Sequence, residues 1–200
     1  MILLRHGQSH FNLHFSRTRI DPGIVDPGLT EDGRRQAAAA GRALSRAGIR
    51  RLLVSPYRRT LETAAELLHT LDAEVEIAVE PLVRERAFFV CDVGSPRSEL
   101  ERGWPHLDFG ELPERWWPEG EEPESEMLLR CQAFRRRMAE RDDWTHTLVV
   151  SHWAFIKGLT GQAVGNCERL RFDPLEGPAQ APVQGPAEPA SKPQVDGPGC

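Results

Sequence analysis

Short apolar runs alternate along the chain with stretches of helical periodicity. The apolar runs are too short for helices and indicate buried strands over residues 1–4, 51–54 and 147–150. An alternation of acidic and apolar residues over 74–80 predicts a half-exposed strand, and residues 166–173 are predicted to form the last strand. Strands that alternate with helices are typical of parallel βα units, so the pattern predicts an α/β fold with parallel strands.

Apolar side chains spaced three and four residues apart predict four helices between these strands. The predicted helices cover residues 31–47, 55–68, 125–141 and 153–161. Thr30 is a suitable N-cap for the first of them. Ser55, followed by a proline, is predicted to cap the second, whose free backbone N–H groups would form an anion site.

Two segments show no such periodicity. Asp-Pro-Gly turns at 21–23 and 26–28 predict one long loop from His10 to Gly28. Residues 87–123 contain several tryptophans and prolines and suggest no regular element. So long an insert in a compact domain is often a lid or a pocket wall, so we expect the substrate determinants there.

Composition narrows the classes of partner. The net charge of the 200 residues is -5, which argues against nucleic acid or an anionic membrane as the main partner. An apolar stretch that could span a bilayer and a basic-then-apolar leader are both missing from the sequence, so a cytoplasmic protein is expected. The four cysteines are widely spaced, which favours free thiols over disulfides or a zinc site.

The composition changes near the carboxyl end of the chain. From Pro174 onward, prolines recur among glycine, alanine and glutamine with almost no large apolar side chain. Such a segment buries too little apolar surface to order itself. We therefore predict one domain over residues 1–173 and a disordered tail without chemistry over 174–200.

Polar side chains with catalytic potential follow the predicted strands. Arg5 and His6 follow the first strand, Arg59 follows the second, Glu85 comes soon after the half-exposed strand, and His152 follows the strand at 147–150. In parallel α/β sheets, ligands bind at the carboxyl ends of the strands. The sequence therefore predicts that these five side chains meet at one edge of the sheet.

Each of these residues also has a simpler interpretation. His6 would then be an ordinary histidine at a packed strand end, the arginines at 58–59 would be solvated, and Glu85 would form an exposed ion pair with its arginine neighbours. His10 and His14 are four residues apart and would share a metal ion only on a helix with a third ligand. A third ligand is not found nearby in the sequence, so no metal site is predicted.

These motifs resemble those of the histidine phosphatase superfamily, branch 1, the phosphoglycerate mutase-like type. The family signature R-H-G-[EQ]-[ST]-x-x-N matches Arg5–Asn12, and S-P-x-x-R-x-x-x-T-A matches Ser55–Ala64. The acidic residue that follows a leucine in the family matches Glu85, and the V-x-S-H motif matches Val149–His152. The resemblance covers residues 1–173 and implies a three-layer α/β/α sandwich with a mostly parallel central sheet.

The resemblance also implies a mechanism. His6 would take the phosphoryl group as a phosphohistidine, which a neutral imidazole can do at neutral pH. Glu85 would protonate the leaving oxygen and later deprotonate the attacking water. His152 would be held protonated by the bound anion. The phosphate would be bound by Arg5, Ser9, Asn12, Arg59 and His152, and no metal or other cofactor would be required.

The expected function is metal-independent hydrolysis of a small phosphomonoester. Many relatives have glycines where this chain has Arg86–Phe89 and Trp153–Ala154, so the resemblance implies a pocket with bulkier walls. Trp153, Phe88 and Phe89 would shape an aromatic-sided pocket or, alternatively, pack in the core. Mutases of the family tend to carry a longer, basic insert, so hydrolysis is favoured over phosphoglycerate mutase-type transfer. A catalytically idle module that binds phosphorylated ligands is the third possibility.

Overall fold

A computed structural model of the protein describes residues 1–71 and 74–176, and within them the chain forms one five-stranded sheet. The strands are β1 (Ile2–Arg5), β2 (Arg51–Val54), β3 (Glu76–Val79), β4 (Thr147–Ser151) and β5 (Arg169–Arg171). Their order across the sheet is β3-β2-β4-β1-β5. The first four strands are parallel, and β5 runs antiparallel to β1 at the edge.

Helices cover both faces of the sheet. They are α1 (His10–Thr18), α2 (Glu31–Leu44), α3 (Arg58–Leu68), α4 (Arg97–Gly103), α5 (Glu124–Ala139) and α6 (Trp153–Thr160). Alternate strand residues point to opposite faces, so Leu4 packs in a core with α2 and α3, and Leu3 packs in a second core with α5 and α6. The predicted α/β fold with three layers is confirmed.

The strands lie where the apolar runs predict them. The five residues of β4 are all buried, as expected for a strand that pairs with β1 on one side and β2 on the other. The other predicted boundaries move by up to three residues at either end; for example, the first predicted helix ends at Leu44 instead of residue 47. The insert at 87–123 contains α4 and one short 3-10 turn, Val90–Asp92.

The prediction of one continuous loop from His10 to Gly28 is wrong, because residues 10–18 form α1. Ser9 caps this helix: its Oγ accepts a hydrogen bond from the Asn12 N–H (3.3 Å), and the Asn12 side chain accepts one from the Ser9 N–H (3.1 Å). Phe11 is the one buried residue of this helix. A helix that buries so little shows no apolar stripe in the sequence.

The prediction that Ser55 caps α3 is also wrong, since Tyr57 occupies the N-cap position and the helix begins at Arg58. The Ser55 hydroxyl instead lies 2.8 Å from Nε2 of His152. The backbone N–H of Arg58 donates to Oδ1 of the buried Asp26 (3.0 Å). The start of α3 was predicted to be an open anion site. One of its backbone N–H groups already donates to a carboxylate of the protein.

The predicted tail falls almost entirely, from residue 177 onward, outside the described residues, as does Cys200. The other three cysteines, Cys91, Cys131 and Cys167, are free thiols. Within residues 1–71 and 74–176, every helix is too short or too polar to cross a lipid bilayer.

Candidate active site

A cavity of about 560 Å³ lies beyond the carboxyl ends of β1, β2 and β4. Six of the seven predicted site residues line it, namely Arg5, His6, Ser9, Asn12, Arg59 and Glu85. The seventh, His152, is fully buried directly behind His6, with the two ring centroids 5.2 Å apart. The register explains the meeting of the histidines, because Arg5 pairs with Ser151 and the His6 N–H donates to the Ser151 carbonyl (3.0 Å).

His6 has one ring nitrogen fixed by the backbone. Its Nδ1 lies 2.7 Å from the Gly7 carbonyl oxygen, which can only accept, so Nδ1 carries the proton and Nε2 keeps its lone pair. Burial, and then the positive charges of Arg59 and Arg5, hold the pKa of His6 well below its usual value. His6 is therefore a neutral imidazole at neutral pH, the form that acts as a nucleophile.

His152 is held between two polar groups. Its Nδ1 accepts a hydrogen bond from Nε of Arg59 (3.3 Å), and its Nε2 donates to the Ser55 hydroxyl (2.8 Å). Burial, followed by the charge of Arg59, lowers the pKa of His152 well below its usual value. With only the protein's own groups around it, His152 is therefore neutral, and it orients Arg59. Its protonation by a bound anion and its direct contact with phosphate stay predictions.

Arg59 is buried, and the protein directs its guanidinium group with several acceptors. Nη1 donates to the Cys91 carbonyl (2.8 Å) and Nη2 to Oδ1 of Asp92 (3.0 Å), so each terminal nitrogen retains one N–H for a ligand. The guanidinium carbon lies 4.2 Å from the ring centroid of Tyr57. The sequence alternative of a solvated Arg59 is therefore wrong.

Asp92 is a site residue that the sequence analysis missed. Its buried carboxylate accepts from Arg59 through Oδ1 and from the N–H groups of Phe88 and Phe89 through Oδ2 (3.1 and 3.0 Å). One side chain thus fixes both the arginine and the loop that follows Glu85. No periodic pattern surrounds it in the irregular insert, so the sequence carried no signal for this role.

Arg5 approaches the cavity from the end of β1. Its Nη1 donates to the Val164 carbonyl (3.0 Å), whereas its Nε is buried without a hydrogen-bond partner in the part of the chain that the structure describes. A buried guanidinium N–H without an acceptor is costly. Arg5 is therefore suited to bind an anion in the cavity.

Glu85 is half-buried and is held by two backbone donors. Its Oε1 accepts from the N–H of Ala154 in the first turn of α6 and from the N–H of Arg86, both at 3.0 Å. Burial, and then the negative charge of Asp92, raises the pKa of Glu85 to about 7. The carboxyl group consequently changes protonation near neutral pH, as a general acid and base must.

The alternative of an exposed ion pair between Glu85 and its arginine neighbours is wrong. Arg84 instead pairs with the buried Glu122 (2.7 Å), and Arg86 pairs with Glu121 (2.9 Å). The acidic run in the insert therefore neutralises these two arginines. The Glu85 carboxylate remains directed toward the cavity and α6.

Ser9 and Asn12 are engaged mainly in capping α1. The Asn12 carbonyl oxygen accepts from the Ser9 N–H, from the Ser9 hydroxyl and from Nδ2 of Asn166, the last two at 3.1 Å. Its amide nitrogen is thereby the part of the side chain left for a ligand. Direct phosphate contacts by Ser9 and Asn12 stay predictions.

The outer part of the cavity is aromatic. Its lining includes Phe11, Phe15, Phe88, Phe89 and Trp153. Trp153 and Phe88 are 39% and 57% exposed, so the alternative that they pack in the core is wrong. The expectation of an aromatic-sided pocket with bulky walls agrees with this lining.

His10 and His14 both lie on α1, the helical arrangement that the metal alternative required. Nδ1 of His14 instead lies 3.1 Å from the Ile20 carbonyl oxygen and 3.2 Å from the Thr18 hydroxyl. In the described ranges, no group of three or more histidine, cysteine or acidic residues is arranged to hold a metal ion.

Comparison with known proteins assigns the chain to a family. The model of the histidine phosphatase superfamily (branch 1) matches residues 1–177. The 2,3-bisphosphoglycerate-dependent phosphoglycerate mutase of Bartonella henselae is 33% identical over 107 residues, which are 52% of this chain and 50% of the mutase. Fructose-2,6-bisphosphatase TIGAR B of Danio rerio is 27% identical over 190 residues, covering 78% of this chain and 71% of that protein. The chain thus spans about half the length of the mutase it matches.

Solved structures share the fold. The mycobacterial glucosyl-3-phosphoglycerate phosphatase has a TM-score of 0.59 and 21% identity, with 84% of this chain and 88% of that chain covered. The ecdysone phosphate phosphatase of Bombix mori has a TM-score of 0.64 and 19% identity, with 98% and 96% covered. At these identities the structures support the fold alone, whereas the family match covers most of the sequence. The chain belongs to branch 1 of the histidine phosphatase superfamily.

Proposed function

We propose that the protein is a metal-independent phosphatase that hydrolyses a small phosphomonoester through a phosphohistidine on His6. The observation that carries this proposal is the arrangement at one cavity of a neutral His6 with a free Nε2, unused N–H donors of Arg5 and Arg59, and Glu85 with a pKa of about 7. Relatives in the family are named as phosphatases and mutases. Phosphoryl transfer needs mainly positioning and charge compensation, which two guanidinium groups supply.

In the first step, Arg5 and Arg59 hold the phosphate of the substrate. The lone pair of His6 Nε2 attacks phosphorus while the bond from phosphorus to the leaving oxygen breaks. Protonated Glu85 gives its proton to that oxygen, so the alcohol leaves neutral. The Gly7 carbonyl keeps the Nδ1 proton of His6 in place throughout.

In the second step, water attacks the phosphoryl group on His6. The Glu85 carboxylate takes the proton of the water, the bond from phosphorus to nitrogen breaks, and inorganic phosphate leaves. His6 returns to its neutral form and Glu85 to its protonated form. A carboxyl group with a pKa near neutral pH can perform both steps in one cycle.

His152 and Asp92 act in this scheme through Arg59. They contact Nε and Nη2 of Arg59 respectively, which fixes the plane of the guanidinium group. Preorganised donors stabilise charge in a transition state because they need no further reorganisation. We therefore assign both side chains as positioning residues.

The test is release of phosphate from p-nitrophenyl phosphate in the presence of a metal chelator. We expect activity in the wild type and a loss of at least about a thousandfold in His6→Ala, because the nucleophile is gone. The matched control is His10→Ala, an exposed histidine on α1, which should keep wild-type activity. Rapid quenching during turnover should trap a phosphoryl-enzyme in the wild type. This species should be labile to acid and absent from His6→Ala.

Three outcomes would replace the proposal. Full activity of His6→Ala would remove His6 as the nucleophile. The mutase alternative is supported by the 33% identity to the Bartonella mutase. It would be favoured if bisphosphoglycerate phosphorylated the protein and a monophosphoglycerate was then isomerised. Binding without hydrolysis over a broad panel of phosphoesters would favour the binding module.

A further inference from the structure

Four phenylalanine rings form a continuous wall of the cavity. Phe11 and Phe15 of α1 stack at 5.1 Å between ring centroids, and both lie 5.2 Å from Phe89. Phe89 in turn contacts Phe88 at 4.9 Å. The wall therefore joins α1 to the loop that follows Glu85, and both segments belong to the lining of the same cavity.

The wall leaves aromatic surface open. Phe88 is 57% exposed although its ring contacts that of Phe89, and Trp153, on the first turn of α6, is 39% exposed. Exposed aromatic side chains that line a concave site are typical of ligand-binding pockets, where a few polar groups fix the ligand and apolar walls cover its body.

The open rings line the same cavity as Glu85, the group that would protonate the leaving oxygen. Glu85 accepts the N–H of Ala154, the residue after Trp153, and Phe88 follows Glu85 by three positions in the chain. A leaving oxygen must lie within hydrogen-bond reach of Glu85 to receive its proton. The atoms bonded to that oxygen therefore lie in the cavity that Trp153 and Phe88 also line.

The charges around this part of the cavity do not favour a second anionic group. Arg86 lines the cavity, but it donates to the Glu121 carboxylate (2.9 Å) and to the Glu122 carbonyl (2.8 Å). Arg19 lies over the ring of Phe15, 5.8 Å from its centroid. A substrate carboxylate or second phosphate would meet Arg86, which is already paired, and Arg19, which covers an aromatic face. The two open rings each have one cation over them: Arg86 lies 5.7 Å from the Phe88 centroid, and Nζ of Lys157, outside the lining of the cavity, lies 4.8 Å from that of Trp153.

We infer that the substrate is a phosphomonoester whose alcohol carries an apolar ring close to the ester oxygen, rather than a polyanionic sugar or glycerate phosphate. This inference rests on the proposed function, because it takes Glu85 as the proton donor. The ring would lie between Trp153 and Phe88, with the phosphate at His6, Arg5 and Arg59.

The experiment compares esters that differ in the ring but little in leaving-group chemistry. The probes are 2-phenylethyl phosphate, ethyl phosphate and 3-phosphoglycerate, and the readout is kcat/KM. We expect 2-phenylethyl phosphate to exceed ethyl phosphate by at least about tenfold, since burial of a ring against aromatic walls favours its transition state. 3-Phosphoglycerate should be no better than ethyl phosphate.

Variants test whether Phe88 and Trp153 cause the preference for 2-phenylethyl phosphate. In the double variant Phe88→Ala, Trp153→Ala, the ratio of 2-phenylethyl phosphate to ethyl phosphate should fall to about 2 or less, because both faces of the ring site are removed. Leu129→Ala is the matched control: it truncates an exposed apolar side chain on α5 outside the cavity and should leave the ratio at its wild-type value. A ratio near 1 in the wild type, or an unchanged ratio in the double variant, would overturn the inference.

A binding measurement separates this inference from the proposed function. The phosphonates 2-phenylethylphosphonate and ethylphosphonate carry no hydrolysable ester bond, and their Kd values can be compared by calorimetry. We expect the aromatic phosphonate to bind at least about tenfold more tightly even if no ester is hydrolysed. Equal Kd values together with normal hydrolysis of ethyl phosphate would refute the ring site and leave the phosphatase proposal standing.

Discussion

Asp92 gives the candidate site an unusual charge balance at the residue scale. A buried carboxylate lies 3.0 Å from the guanidinium group that is proposed to bind phosphate. The same charge raises the pKa of Glu85, although burial raises it more. Asp92 thus favours the orientation of Arg59 and the protonation of Glu85, while it reduces the net positive charge available to an anion.

Asp92→Asn should change the pH dependence as well as the rate. Without the negative charge the pKa of Glu85 falls, so the decline of kcat/KM on the alkaline side should begin at a lower pH than in the wild type. The lost charge-assisted hydrogen bond to Arg59 should also reduce kcat/KM by about tenfold. Steady-state kinetics between about pH 5 and 9 measure both effects.

The control for this prediction is Asp108→Asn, an exposed aspartate in the insert, which should change neither quantity. A purely structural role for Asp92 would lower the rate at every pH without moving the profile. That result would remove its influence on Glu85.

Glu85→Gln should show the role of the proton donor through the leaving group. In the wild type kcat/KM should decrease above about pH 7, because the first step needs Glu85 protonated and its pKa is about 7. In Glu85→Gln this decrease should vanish, and hydrolysis of ethyl phosphate should fall by about 10²–10⁴. Hydrolysis of p-nitrophenyl phosphate should fall much less, since its leaving group departs without a proton. Equal losses for the two esters would exclude proton transfer by Glu85.

At the scale of elements, the strands and helices that bury more of their residues were predicted more accurately. The runs at β1, β2 and β4 bury ten of their thirteen residues and leave none exposed, so composition alone identifies them as strands. Helix α1 buries only Phe11, and its usable signal was the cap Ser9 with Asn12 three residues later, beside misleading Asp-Pro-Gly turns. The start of α3 was misplaced because the Ser55 hydroxyl contacts His152, a residue far along the chain that local patterns do not reveal.

Helix α2 meets the turn after His6 at two glycines, and this contact leads to a stability prediction. A Cβ built on Gly33 would lie 2.1 Å from the Gln8 carbonyl oxygen, and one on Gly7 would lie 2.5 Å from the Gly33 carbonyl oxygen. Gly33→Ala should therefore lower the free energy of unfolding by about 2 kcal/mol or more, because backbone must move. It should also reduce kcat/KM, since the displaced turn carries His6. Urea denaturation and phosphate release provide the two measurements.

Gly103→Ala is the matched control for Gly33→Ala. Gly103 also lies in a helix, α4, but a Cβ there would have no heavy atom within 4 Å. Alanine at this position should leave the free energy of unfolding unchanged or raise it by up to about 1 kcal/mol. Similar losses for the two variants would show that the tight approach of α2 to the turn is not what limits stability.

At the scale of the whole molecule, the convergence of the proposed reacting groups could be predicted, whereas the residues that position them could not. His6, Arg59 and His152 follow strands that are parallel, so their carboxyl ends had to meet at one edge of the sheet. Asp92 and Asn166 reach the site from irregular segments, where position depends on tertiary packing instead of periodicity. The aromatic wall could not be predicted either. Its rings come from α1, which shows no apolar stripe in the sequence, and from the insert, which shows no periodicity.

Burial of ionisable groups at the centre of the molecule should make stability depend on pH in two opposing ways. The folded-state pKa values of His6 and His152 lie below the unfolded value of about 6.5, so the unfolded chain binds more protons as pH falls below that value. Their contribution is full above about pH 6.5 and is lost on acidification. The folded-state pKa of Glu85 is raised to about 7, so its contribution is lost as pH rises from about 4.5 to 7.

Urea denaturation of the wild type and Glu85→Gln at about pH 5, 6 and 7.5 separates these contributions. Relative to the wild type, Glu85→Gln should gain about 2 kcal/mol of stability between pH 5 and 7.5, because the variant no longer buries a carboxylate. Within Glu85→Gln, stability should still fall below about pH 6.5, and adding His6→Asn should reduce that fall. Adding the exposed His10→Asn instead should leave it unchanged. A pH-independent difference between wild type and Glu85→Gln would contradict the raised pKa.

Residues 164–167, which precede β5, hold the end of β1 in place from the far end of the domain. The Val164 carbonyl accepts from Arg5, the Asn166 side chain donates to the His6 carbonyl (3.0 Å), and the Cys167 N–H donates to the Arg5 carbonyl (3.1 Å). Within this domain a ribosome adds His6 160 residues before Asn166, and the other two partners lie within two residues of Asn166. A nascent chain would therefore carry the proposed nucleophile without its complete surroundings until residues 164–167 have been synthesised.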